Sequence, residues 1–404
     1  MNRERRILMV APTSFFLDYG CHVRILEEAL ALKTQGHQVR IVTYYLGRDW
    51  PGLDIVRSHP TPWRPDYEVG SSRHKIAFDV LLSARVMREA LLWRPDLIHG
   101  HLHEGALIGS VVGRIVGTPI LFDFQGSLTG EMLDHGFLTR NSLAYQWWRG
   151  LEERIVELPD AIVTSTTHSA ELLARGFGRT DGVYPLPDSV NLDFFRPDCL
   201  TVEERAAQRA ALGLPSDRRI VVYLGLLADY QGIPQLLEAL ALLRAQDVPI
   251  SCLLMGFPGM DHYARQARDL GLTPEDVVFT GKIPYQEAPR YLALGDVSVK
   301  PKLSATEGSG SILNYMSMGL PVVAYDTPVS REYLGSLGLY ASPVGDTEAL
   351  AQALGSAIED PVAGRELGLR LRERAQRHFS WRRTALHLTR IYRSLWREPG
   401  RHHT

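Results

Sequence analysis

The sequence predicts an α/β protein made of two doubly wound parallel-sheet domains in tandem. Short, continuously apolar, β-branched runs recur along it, helical segments separate them, and the rhythm restarts after a proline- and aspartate-rich stretch near the middle. Apolar strands alternating with helices indicate parallel sheets covered on both faces. A chain of 404 residues, 45% of them hydrophobic, is too long for one ordinary domain and suits two of about 150–200 residues each.

The first half carries strand-like runs at Ile7–Val10, Val39–Thr43, Leu97–His99, Ile120–Phe124 and Ala161–Thr164. Between the first two, residues 22–35 set Val23, Leu26, Leu30 and Ala31 on one helical face, and Gly36 ends the helix. The boundary is read in residues 184–198, where three prolines and three aspartates interrupt the pattern before a polar helical segment over 201–214. Strand-like runs then return at Ile220–Leu224, Ile250–Met255, Val277–Phe279, Val297–Lys300 and Val322–Ala324, each followed by a helical segment. The last helix, about Trp381–Trp396, is long and amphipathic.

Bulk properties exclude several classes. Net charge is −2, without the basic excess of a duplex-binding protein, so no nucleic-acid partner is expected. Cys21, Cys199 and Cys252 are far apart and form no C-x-x-C pair, which argues against a disulfide framework or a structural zinc. The apolar run at the start is too short for a signal-peptide core. No uninterrupted run reaches the ~18 apolar residues of a membrane span. Residues 106–122 come nearest and are broken by Arg114, Thr118 and Pro119. The expected compartment is the cytoplasm, with a peripheral place at the inner membrane face left open.

Ligands of doubly wound sheets bind beyond the carboxyl ends of the strands, so the candidate chemistry lies in the loops there. Gly20, in the loop after the first strand, lets backbone N–H groups approach a ligand at a helix start. His99, His101 and His103 alternate at a strand end. The spacing suggests zinc, but no second ligand cluster lies nearby in sequence. Hydrogen bonding of His101 and Glu104 to a polyhydroxylated substrate is preferred, with a structural role for His99. Asp123, Gln125, Ser127, Thr129 and Glu131 crowd the loop after Ile120–Phe124; Asp123 and Glu131 are read as sugar or acceptor contacts.

Residues 300–328 carry the strongest signal. A strand ends at Lys300, and a loop bearing Lys302, Thr306, Glu307, Gly308, Ser309 and Gly310 turns into a helix near Ser311. Two lysines and a glycine-rich turn at a helix N-terminus form a diphosphate cradle on physical grounds. Asn314, one turn in, could reach ribose hydroxyls. The Gly-Lys-Ser/Thr ending of a Walker loop is absent.

That segment, together with YLGLLADYQGIPQLLEAL, LLMGFPG, VVFTGKIPY and LPDSVNLDFFRP, resembles the retaining glycosyltransferases of family 4, and the resemblance runs from the first strand to Phe379–Trp381. It implies the GT-B fold, two Rossmann-like domains facing across a cleft. Residues 1–193 would form the acceptor side, 194–380 the nucleotide-sugar side, and 381–404 a helix packing back on the first domain. It further implies sugar transfer from a nucleotide diphosphate sugar, a UDP- or GDP-sugar acting as co-substrate. The acceptor would be a glycan, a lipid-linked sugar or a small molecule. No cofactor is required, and no Asp-x-Asp motif is present to hold a metal.

The chain also departs from the pattern. Asn314 stands where the second of two family glutamates is expected, and Glu307 is one residue too close to be the first, a place that otherwise falls to Thr306. Leu226 and Gln231 replace the arginine and lysine that face the diphosphate, and Gln125, which has no acid or base function, replaces a histidine. Lys300 and Lys302 are expected to restore the missing charge. Glu307, Lys302 and Gln125 are assigned to the reacting centre. Two alternatives stay open at this point: a degenerate relative that binds without turnover, and a nucleotide-sugar 2-epimerase. Trp147, Trp148, Arg149, Trp93 and Arg94 offer an aromatic–basic edge, read by preference as ordinary helix positions.

Overall fold

The computed structural model describes residues 4–18, 20–61, 75–134, 136–304 and 307–397. They divide into two compact units. Unit 1 draws on 1–17, 21–187 and 381–404, and unit 2 on 188–380 with 18–20.

In unit 1 the strands are β1 (Arg6–Ala11), β2 (Gln38–Thr43), β3 (Asp54–Arg57), β4 (Leu97–His101), β5 (Ile120–Phe124), β6 (Ala161–Thr164) and β7 (Val183–Pro185). The helices are α1 (Gly20–Thr34), α2 (Lys75–Trp93), α3 (Leu102–Val116), α4 (Leu128–Asp134), α5 (Leu143–Glu157) and α6 (Thr167–Phe177). The sheet order is β3-β2-β1-β4-β5-β6-β7, and all pairs are parallel. This is the doubly wound order expected from the alternation. Central β1, β4 and β5 are buried, whereas edge strands β3 and β7 are half-buried and short. Those two edges are absent from the sequence reading because a half-buried edge lacks a continuous apolar run.

In unit 2, α7 (Val202–Ala211) begins on a capping box, Thr201 with Glu204. There follow β8 (Arg219–Leu226), α8 (Ile233–Ala245), β9 (Ile250–Phe257), α9 (Met260–Asp269), β10 (Val277–Gly281), α10 (Ala288–Leu292) and β11 (Val297–Lys300). The unit continues with α11 (Gly310–Ser317), β12 (Val322–Tyr325), α12 (Pro328–Leu334), β13 (Leu339–Ala341), α13 (Thr347–Glu359) and α14 (Pro361–His378). The order is β10-β9-β8-β11-β12-β13, again all parallel. The division between the units falls between Pro187 and Asp188. Asp188 already accepts from Tyr333 Oη at 3.0 Å, and Val190 N–H donates to Phe379 O, which ties this segment to unit 2.

The final helix, α15 (Trp381–Arg397), belongs to unit 1. Trp381 and Ala385 pack on Ala31 of α1. Tyr392 Oη meets His99 Nδ1 at 2.8 Å, and the Trp396 indole donates to Asp96 O at 3.1 Å.

Helix α3 packs in an unusual sense. A Cβ on Gly105 would lie 2.8 Å from Val10 O, one on Gly109 2.4 Å from Ile120 Cδ1, and one on Gly113 2.6 Å from Thr118 O. Glycine at this four-residue spacing lets the helix lie almost directly on the sheet. No described helix is long and apolar enough to cross a membrane.

Candidate functional site

In unit 2 the candidate site is built where the ends of β8 and β11 meet. These strands are neighbours, and the turn after β8 is drawn against the end of β11. A Cβ on Gly232, which has φ 77°, would sit 1.8 Å from Pro301 O, so only glycine fits. Leu303 N–H donates to Tyr230 O at 3.0 Å across the same junction. Lys300 therefore ends β11 beside Gln231.

Lys300 is only 6% exposed. Its ammonium donates to Gln231 Oε1 at 2.8 Å and lies 5.3 Å from the centre of the Tyr223 ring. A Cβ on Gly225 would be 3.3 Å from it. Lys300 thus reaches both Gly225, which precedes Leu226, and Gln231. Burial pushes its pKa down to about 7, Lys302 pushes the same way, and Glu307 opposes.

Lys302 is buried as well. Its ammonium holds Glu307 Oε2 at 3.1 Å and the carbonyls of Glu307 and Gly308 at 3.4 and 3.3 Å. A glycine-rich cradle suggests two lysines open to a ligand; instead both are enclosed, because the junction folds over them. Glu307 keeps 27% of its side chain exposed. Gly308 is forced by close approach: a Cβ there would lie 2.3 Å from Asp188 Oδ2.

Ser309 precedes α11 and gives no side-chain cap to it, and its buried Oγ has no partner among the described residues. The first turn is open. Gly310 is exposed, and a Cβ added to it would meet nothing within 4 Å, while Ser311 and Asn314 are half-buried. The amides of that turn are the N–H groups that α11 leaves without intrahelical acceptors. Thr306 lies outside the described residues.

In unit 1 the polar residues at the carboxyl ends of β4 and β5 form one buried network. Arg24 of α1 grips Asp123 through Nε at 3.1 and 2.9 Å and Nη2 at 2.8 Å. Asp123 Oδ2 also meets His101 Nδ1 at 3.0 Å and accepts from Gln125 Nε2 at 2.8 Å. Burial alone would raise the Asp123 pKa, but Arg24 and then His101 hold the carboxyl far below the usual range. His101 stacks on His99 at 4.4 Å, and burial drives the His99 pKa well down.

His101 and Asp123 have no solvent exposure. The Asp123 carboxylate is engaged by Arg24, His101 Nδ1 and Gln125, while His101 Nε2 is buried with no partner among the described residues. The Asp123 carboxylate in turn fixes Gln125. A carboxylate only accepts, so the amide nitrogen must face it and Oε1 is the outward end. Ligand atoms of Glu28, His99, His101 and Asp123 all lie within 4.8 Å of one another, a spacing that could hold a metal ion. The Arg24 guanidinium already occupies the Asp123 carboxylate, so an arriving cation would meet a fixed positive charge. The donor set does not fit a resident metal.

The other predicted contacts are partly open. Glu104, in the first turn of α3, is half-buried and paired with Lys75. Burial would raise its pKa, and Lys75 outweighs that and lowers it. Glu131 is half-buried on α4. Gly20 opens α1 with φ 40° and free space where a Cβ would be.

Sequence reasoning missed Arg24, and also Glu152, whose carboxylate accepts from the N–H groups of Leu128 and Thr129 at 2.9 and 3.1 Å and so caps α4. Neither carries a local signal, since their partners are 99 and about 24 residues away. On the aromatic–basic edge, Arg149 lies over Phe177 and Trp93 beneath Arg40, while Trp147 stays exposed.

Residues 19–187 match the family model described as glycosyl transferase 4-like domain, and residues 218–360 the model described as glycosyl transferases group 1. The chain is 31% identical over 248 residues to a GDP-mannose-dependent alpha-(1-6)-phosphatidylinositol monomannoside mannosyltransferase of Mycolicibacterium smegmatis; the match covers 59% of this chain and 63% of that enzyme, less than two thirds. It is 26% identical over 431 residues to a D-inositol 3-phosphate glycosyltransferase of Nocardioides sp., covering 96% and 90% of the two chains. Among solved structures, sucrose-phosphate synthase from Thermosynechococcus elongatus superposes with a TM-score of 0.81 at 22% identity, over 98% of this chain and all of that one. That likeness concerns the GT-B fold alone.

Proposed function

We infer the reaction from kinship: the chain belongs to the group 1 glycosyl transferases and is a glycosyltransferase. We propose that it moves a hexose from a nucleotide diphosphate sugar to an acceptor hydroxyl with retention at the anomeric carbon, in the cytoplasm and without a metal or other cofactor. The observation that carries this reading is Lys300. Its ammonium stands against Gly225 and Gln231, the two segments from which the family's arginine and lysine are missing, and so supplies the diphosphate charge from β11.

The chemistry needs little acid–base work from the protein. The bond from the anomeric carbon to the diphosphate oxygen breaks and its electron pair leaves with the diphosphate. The acceptor oxygen bonds the same face of that carbon and gives its proton to the departing diphosphate. Lys300, Lys302 and the open amides of Gly310 and Ser311 stabilise the leaving charge. Lys302 exchanges Glu307 for phosphate when the donor binds, which frees the Glu307 carboxylate toward the sugar. Asn314 takes ribose hydroxyls, and Gln125 offers Oε1 to a sugar hydroxyl. The acceptor is a glycan, a lipid-linked sugar or a small molecule; the mycolicibacterial relative acts on a phosphatidylinositol mannoside.

A thermal-shift panel of UDP, GDP, ADP and their sugars tests donor binding. Lys302→Ala should weaken nucleoside diphosphate affinity about 10- to 100-fold, the worth of one charge-assisted contact, with a smaller effect on melting temperature. Unchanged affinity would remove Lys302 from the site.

A further inference from the structure

Helices α2 and α3 lie side by side on unit 1 and share a buried seam of Leu82, Val86, Ile108 and Val112. Their outer surface is apolar as well, whereas an ordinary covering helix keeps its large apolar side chains for the inner face. On α3 the glycines at 105, 109 and 113 face the sheet, and Leu107, Val111 and Ile115 face outward at 37%, 50% and 64% exposure. On α2, Ile76, Val80, Leu91 and Leu92 are 76%, 64%, 57% and 69% exposed. Every exposed residue of the two helices is apolar or arginine: Ile76, Val80, Ala84, Arg88, Leu91 and Leu92 on α2, and Leu107, Val111, Arg114 and Ile115 on α3. Single exposed apolar residues are ordinary; two adjacent helix faces without a polar uncharged or acidic residue are not.

The charges on these helices are sorted by sign. Each carboxylate is engaged away from the outer rows. Asp79 accepts from Tyr44 Oη, Glu89 pairs with Arg40 at 2.9 Å and Arg85 at 3.2 Å, and Glu104 pairs with Lys75. Arg88 and Arg114 are exposed with no carboxylate partner among the described residues. Both stand in the C-terminal halves of their helices, so the face is apolar toward the carboxyl ends of the strands and mixed apolar and basic toward the other.

We propose that this face docks unit 1 on an anionic phospholipid surface, the apolar rows entering the headgroup boundary and Arg88 and Arg114 meeting lipid phosphates. Charge selects this occupant. In a pair of identical faces the arginines would be buried with no exposed carboxylate on either α2 or α3 to receive them, whereas an anionic bilayer supplies both an apolar layer and negative charge. Helix α3 also supplies most of residues 106–122, the stretch nearest in composition to a membrane span; its apolar side chains meet lipid from the side.

The test is co-sedimentation of the full chain with vesicles of phosphatidylcholine alone and of phosphatidylcholine mixed equally with phosphatidylglycerol. The parent should bind the anionic vesicles more strongly and lose binding as salt rises. Val111→Glu with Ile115→Glu should lower partitioning by about 10-fold or more. Leu242→Glu, at an exposed site on α8 of unit 2, should leave it unchanged. If the double glutamate variant fails to fold by circular dichroism, Arg88→Gln with Arg114→Gln gives the reading, lowering binding to anionic vesicles specifically. Absence of parent binding, equal binding by parent and both variants, or a concentration-dependent dimer that forms in place of vesicle binding would each overturn the proposal.

Discussion

Replacing Lys300 by methionine should make the protein more stable and a poorer binder of its donor. The ammonium is buried against a neutral amide and an aromatic ring, and its pKa is pushed from 10.5 to about 7. An unfolded chain keeps that proton up to about pH 10.5, the fold only to about 7. Between those values the unfolded state binds more protons, so this lysine's contribution makes stability rise with pH, and its penalty is complete below about pH 7.

The full difference corresponds to an upper bound of ~5 kcal/mol. Relaxation around the buried charge lowers that, and the variant also loses the bond to Gln231, which costs about 1 kcal/mol. A net gain of about 2 kcal/mol near pH 6 remains, which raises the melting temperature by roughly 4–8 °C in a domain of this size. The gain should shrink by more than half near pH 9, where the native lysine is neutral. The assay pairs thermal unfolding at the two pH values with titration of UDP and GDP, whose affinity should fall about 10- to 100-fold. A melting temperature that falls at both pH values, together with unchanged nucleotide affinity, would refute both the burial cost and the phosphate role.

Gly308→Ala should cost about 2 kcal/mol in urea unfolding, because its Cβ would fall 2.3 Å from Asp188 Oδ2 and 3.1 Å from Tyr333 Oη and force their hydrogen bond apart. Arg24→Met should cost about 3–5 kcal/mol near neutral pH, since it leaves the fully buried Asp123 without its cation. In the native chain the depressed Asp123 pKa gives stability that is present above the ordinary carboxylate range and lost as pH falls through the folded value. Without Arg24 that pKa rises, so the variant's deficit should narrow as the medium is acidified.

Much of the fold was legible because its central strands are continuous apolar runs. Ile7–Val10 became β1 and Ile250–Met255 became β9 with a residue or two added. The edge strands Asp54–Arg57 and Val183–Pro185 escaped because half of each faces outward. The glycine-rich turn and Lys300 were visible in the sequence through the resemblance and the strand end. Their environment was not: the contact of Lys300 with Gln231 spans 69 residues, and that of Arg24 with Asp123 spans 99. Tertiary pairing of this kind leaves no periodicity. The same reason applies to His101, read as a ligand contact at a strand end: it is buried against Asp123, which an arginine of α1 grips.

The assignment of α15 to unit 1 bears on how the chain matures during synthesis. Unit 2 is nearly continuous in sequence, so it can condense as it leaves the ribosome. The sheet of unit 1 is made before unit 2 yet must wait for α15, which follows unit 2 in sequence, before Tyr392 reaches His99 and Trp396 reaches Asp96. The unit whose sheet is translated earlier therefore closes later, and a released chain truncated after residue 380 would keep the segments of the second unit and leave the first unsealed.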